Sequence, residues 1–65
     1  MIKYYTQVDG EDSVHEGNKK VIIADIYSGF RLLDDREAEE MLDRTNIDNP
    51  LQVRGKGYLV WKEEE

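Results

Sequence analysis

The stretch RGKGYLVWK, Arg54 to Lys62, sets a lysine between two glycines, the raw material of a phosphate-binding loop. Such a loop needs four residues between its glycines, a Lys-Ser/Thr pair and a helix starting directly afterwards, so that backbone N–H groups and the helix dipole converge on the phosphates. Here a single residue separates Gly55 from Gly57, and an aromatic and branched-aliphatic pattern follows. Leu51 and Val53 before the glycines, with Tyr58, Leu59, Val60 and Trp61 after them, instead predict two strands joined by a tight turn with Lys56 at its tip. His15, the only histidine, stands among Asp9, Glu11, Asp12 and Glu16. Their spacing fits neither the ligand order of an EF-hand nor a helical histidine pair. Ser13 and Ser28 have no histidine base in view, and Asp34 with Asp35 is explained by helix capping. No catalytic, cofactor or metal-binding residue is assigned, and the expectation is a protein that is not an enzyme. A pocket of ~300 Å³ would consume much of the core of so short a chain.

Length and composition narrow the classes further. Sixty-five residues allow one domain, spanning 1–65, near the lower limit of what folds unaided. Without cysteine there is no disulfide and no thiolate site, so a cytoplasmic home is expected. The opening MIKYYTQVDG has no long apolar region, and no run approaches the ~18 apolar residues of a membrane span. The net charge of −6 is unevenly spread: residues 9–16 carry −4, residues 34–48 carry −5 and the tail 63–65 carries −3, while 17–33 and 51–62 are net positive. Overall acidity disfavours general nucleic-acid binding, which relies on lysine and arginine displacing counterions from phosphates.

The elements that would position these groups follow from period. IKYYTQV, Ile2 to Val8, alternates in the manner of a strand. DGEDSVHEGN and Lys19, residues 9–19, read as a long acidic hairpin loop. KKVIIADIYSGFRLL holds the densest β-branched run and is assigned to strand, with Ser28-Gly29 either a tight turn into a third strand at 30–33 or a bulge in one bent strand. The segment 34–46 reads as a helix: Asp34 as N-cap with Glu37 completing a capping box, Leu33 stapled onto Ala38, and Ala38, Met41, Leu42 and Thr45 on one apolar stripe. Glu40 and Arg44 are spaced as an ion pair, and Asn46 with Ile47 is expected to close the helix through a left-handed residue.

The fold class expected is therefore α+β, a small antiparallel sheet of four or five strands in the order β-β-(β)-α-β-β with one helix on one face. The uncovered face would gather Lys3, Tyr5, Tyr27, Arg31, Arg54 and Tyr58. Tyrosine suits exposed strands by propensity, so an ordinary solvated sheet is one reading of that face, a protein interface or homodimer another, and a single-strand nucleic-acid platform the third. Acids at Asp35, Glu39, Glu40 and Asp43 on the helix, with Glu11 and Asp12 in the loop, form a negative surface suited to a basic partner. By class analogy alone, so small, acidic and cysteine-free a chain looks like the proteins that phages make to disable a host protein. The leading expectation is a non-enzymatic protein-binding module, with nucleic-acid binding or regulation through the open face as the alternative.

Overall fold

The computed structural model describes all residues from Met1 to Glu65. Four strands and two helices follow in the order β1 (Ile2–Val8), β2 (His15–Glu16), α1 (Lys19–Phe30), α2 (Asp35–Asp43), β3 (Leu51–Val53) and β4 (Tyr58–Glu64). The strands form one antiparallel sheet in the spatial order β2-β1-β4-β3. The first and last long strands are thus central neighbours, paired from Ile2 against Glu64 to Val8 against Tyr58. The α+β class holds, with two helices where the sequence pattern suggested one.

The main correction concerns residues 19–30, which are helical throughout. Asn18 caps them: its backbone is extended, and its side chain accepts from the N–H groups of Lys20 at 2.9 Å and Val21 at 3.3 Å. This satisfies two of the donors that every helix start leaves open. Ile22, Ile26 and Phe30 recur every four residues and turn inward. The β-branched run that signals a strand is compatible with a helix once tertiary packing rewards its buried side. Ser28 and Gly29 are neither turn nor bulge, because they lie in the last turn of this helix. Gly29 is a packing device: a Cβ there would come within 2.5 Å of the Arg54 carbonyl oxygen, so only glycine lets α1 approach the β3–β4 turn so closely. Arg31 ends the helix with φ 53° and ψ 48°, the only non-glycine residue at positive φ, and its N–H donates to the Tyr27 carbonyl.

With 19–30 taken by the helix, β1 finds its outer partner inside the segment read as a loop. His15 and Glu16 pair with Thr6 and Tyr5, so residues 9–16 fold back on β1 as a short hairpin, and Lys19 already belongs to α1. Gln7 Nε2 donates to the Glu11 carbonyl and Asp9 accepts from Gln52, tying the base of that hairpin to the sheet.

The second helix starts where expected and stops earlier than the predicted 34–46. Asp34 accepts from the Glu37 N–H at 3.1 Å. Leu33 does not staple onto Ala38, since it is 89% exposed. No ion pair joins Glu40 to Arg44, and the helix closes at Arg44 in a right-handed conformation (φ −84°) rather than at a left-handed Asn46. Asn46 instead bridges to Asn49 and accepts from the Asp48 N–H. Thr45 is buried and fully used: its hydroxyl donates to the Leu42 carbonyl at 2.7 Å and accepts from the Lys62 N–H at 3.0 Å, fastening the end of α2 to β4.

Both helices cover the same side of the sheet. Tyr4, Ile22, Ile26, Ala38, Leu42, Val53 and Val60 form the core, with Phe30, Leu32, Met41, Leu51 and Tyr58 packed around it. No buried side-chain polar atom lacks a partner. No helix is long and apolar enough to cross a membrane.

Candidate interaction surfaces

The face turned away from the helices follows from strand alternation. Val60 lies in the core and Tyr58 donates to Asp25 of α1 at 2.8 Å, so these two point toward the helices while Leu59 and Trp61 point away. The sequence-based register had β4 the other way round; a one-residue slip exchanges a strand's two faces. The strand's continuous apolar run, Tyr58 to Trp61, gave alternation nothing to fix.

The six residues proposed to share the open face consequently separate. Lys3 and Tyr5 remain there. Tyr58 is on the covered side, Tyr27 is an exposed residue of α1, Arg31 is its left-handed cap, and Arg54 sits in the β3–β4 turn with its guanidinium 5.0 Å from the Phe30 ring centre. A tyrosine platform therefore does not exist. The open face has an aromatic pair instead: Tyr5 lies directly across from Trp61, ring centres 6.3 Å apart and 27° from parallel. Trp61 is only 5% exposed although it lies outside the core cluster, and its indole N–H donates to Glu63.

Carboxylates surround this pair. The Tyr5 hydroxyl donates to Glu65, and Lys3 Nζ lies 3.5 Å from the same carboxylate. The hydrogen bond to Glu65, with smaller contributions from desolvation and the neighbouring acids, raises the Tyr5 pKa to about 12. Accepting that bond holds the Glu65 carboxyl below its ordinary value. Glu16 and Glu63 also stand close to Tyr5, so carboxylates outnumber the one lysine around it. On the covered side, burial first and the bond to Asp25 second push the Tyr58 hydroxyl upward.

The predicted acidic surface is present as separate exposed groups. Asp35, Glu40 and Asp43 of α2 and Glu11 and Asp12 of the hairpin are all exposed. Glu39 is half-buried and engaged, bonded at 2.9 Å by Lys19, whose pKa that bond raises and whose ammonium also lies 5.8 Å from the Tyr4 ring centre. Of the fifteen acidic side chains, only Glu39, Glu65 and Asp25 have a cation within 4.0 Å. Asp25 is approached by Lys56, so the lysine at the turn tip reaches back to α1. His15 is exposed, and no three metal-ligating side chains converge anywhere in the molecule.

A surface that the pattern analysis missed lies on α1. Val21 is 58% and Tyr27 41% exposed, and Ala24 between them also faces solvent, so this helix carries apolar residues on its outer side, among Lys20 and Ser28, as well as on its buried one. Beside it, Ile23, Ala24, Tyr27 and Leu33 line an open groove of about 470 Å³ together with Lys20, Asp34 and Asp35. A helical reading of 19–30 would have exposed this excess of apolar residues. Compared with known proteins, the chain matches no family model, no curated protein and no solved structure.

Proposed function

We propose that the protein is a non-enzymatic binding module that docks on a basic surface of another protein through the acidic side of α2, with the 9–16 hairpin contributing. The observation that carries this reading is the large excess of unpaired carboxylates, among them Asp35, Glu40 and Asp43 on a helix fixed to the sheet by Leu42 and Thr45. Charges presented on a rigid element keep their spacing, and an array in which acids outnumber the two exposed cations, Arg36 and Arg44, steers and orients a basic partner. In class terms an inhibitor of a nucleic-acid-binding protein fits, because a row of carboxylates can occupy a surface built for phosphates.

Pull-down from cell lysate at low and at high salt tests the reading. Retained proteins are expected to be basic and to be released as salt screens the contact. Charge reversal at Asp35, Glu40 and Asp43 together is expected to abolish retention, whereas Glu39 is excluded because its reversal would also break the bond to Lys19. Retention that survives both high salt and the triple reversal would contradict the proposal.

A further inference from the structure

We infer that the groove between α1 and the start of α2 receives a large aliphatic side chain from a lysine- or arginine-rich amphipathic segment of the partner. The inference rests on the acidic docking proposed above and assigns its apolar anchor. A helix that packs on a sheet needs one apolar stripe, and α1 meets that need with Ile22, Ile26 and Phe30. Val21, Ala24 and Tyr27 lie off that stripe and leave an apolar strip facing solvent. Leu33 extends it: placed where a staple onto α2 would hide it, this leucine stays 89% exposed and lines the groove with Ile23, Ala24 and Tyr27.

Charge decides the occupant. Asp34 and Asp35 line the groove beside its apolar residues, and with Glu37 in the same turn these three acids outweigh Arg36 between them and the partial positive charge of the helix start. Lys20 is the one cation on the lining, and α2 beyond the groove carries Glu40 and Asp43 outward. An apolar side chain flanked by lysine or arginine satisfies both chemistries. A second copy of this chain satisfies only the apolar one, because each copy brings a net charge of −6.

The test uses two fluorescein-labelled peptides of equal charge: an amphipathic leucine–lysine helix, and the same sequence with serine for every leucine. The leucine peptide is expected to bind wild type roughly tenfold more tightly at moderate salt, the scale of burying one leucine side chain. Its amide chemical-shift footprint is expected on Ile23, Ala24, Tyr27 and Leu33. Leu33→Ser and Tyr27→Ser, both at exposed positions, are expected to bring its affinity down to that of the serine peptide. Equal affinity of the two peptides, or a footprint confined to 9–16, overturns the groove assignment while salt-sensitive binding leaves the acidic docking standing. Failure of both peptides to bind at low salt overturns the two together. A concentration-dependent mass for the protein alone, abolished by Leu33→Ser, would assign the groove to self-association and overturn the inference.

Discussion

α1 and α2 lie side by side on one face of the sheet, and each buries two side chains, Ile22 and Ile26 from the first, Ala38 and Leu42 from the second. Their outer surfaces have opposite chemistry. Every residue of α2 other than Ala38, Met41 and Leu42 is charged, whereas α1 carries three charged residues in twelve and leaves Val21, Ala24 and Tyr27 in solvent. Packing constrains only the buried stripe of a helix. The outward residues of α1 add nothing to the core, and Val21, Ala24 and Tyr27 keep their apolar surface in solvent. The outward residues of α2 supply the charge beside it.

Core truncation tests the claim that the two helices are equivalent on the inside. Ile26→Ala and Leu42→Ala are each expected to cost about 2–5 kcal/mol in denaturant melts, the range for deleting a fully buried aliphatic side chain. A cost below about 1 kcal/mol for either would show that its helix is not part of the cooperative unit. Gly29→Ala sharpens the contrast. In α1 the new Cβ meets a backbone carbonyl that cannot rotate away, so a loss of about 1–3 kcal/mol is expected despite the better helix propensity of alanine. If Gly29→Ala stabilises the protein, the close approach of α1 to the β3–β4 turn is wrong.

The caps come next in size. Asn18→Ala and Asp34→Ala are each expected to cost about 0.5–2 kcal/mol, with serine at either position recovering most of it. Neutral behaviour of Asn18→Ala would undermine the helical assignment of 19–30 most directly. On the exposed sides, Val21→Ser and Glu40→Gln are both expected within about 0.5 kcal/mol of wild type, so binding differences between such variants can be read without correction for unfolding.

The smallest effects come from titrating side chains at the surface, Tyr5 and Glu65 on the sheet face that neither helix covers and Lys19 at the start of α1. Tyr5 and Lys19 both have raised pKa values, so what they contribute is complete below their unfolded values and is lost as pH climbs through the folded ones. Stability is therefore expected to decline at alkaline pH above about 10, the ordinary tyrosine value. The difference between the ultraviolet titrations of wild type and Tyr5→Phe is expected to have its midpoint near pH 12. Glu65 is lowered, so its contribution is complete above the ordinary carboxylate range and is lost as pH falls through the folded value. Glu65→Gln is expected to flatten the acid limb of the melting profile, and an unchanged limb would show that the Tyr5–Glu65 bond does not persist in solution.

The features legible in advance were those set by neighbours in the chain. Asp34 as a cap, the inward stripe of Ala38 and Leu42, the glycine turn at 54–57 and the strand alternation of Ile2 to Val8 depend on local chemistry and period, and the folded chain keeps them. The acids of α2 and the hairpin were legible for the same reason, because a charged side chain reaches solvent almost wherever it is placed. The tyrosine platform failed because it depended on the state of 19–30 and on the register of β4, and neither is set locally.

For this chain, then, the amino-acid sequence by itself determined the antiparallel α+β class, the second helix and the sign of the surface. Only the tertiary structure decided that VIIADI coils, since a β-branched run suits either state until Gly29 can nestle against the Arg54 carbonyl and Ile22 and Ile26 can reach Val53 and Val60. The same packing fixed which side of β4 faces the helices and left an apolar strip on α1 beside the acids of α2. Backbone conformation in an ambiguous stretch is settled by which alternative buries more surface, and that quantity exists only once the partners are in place.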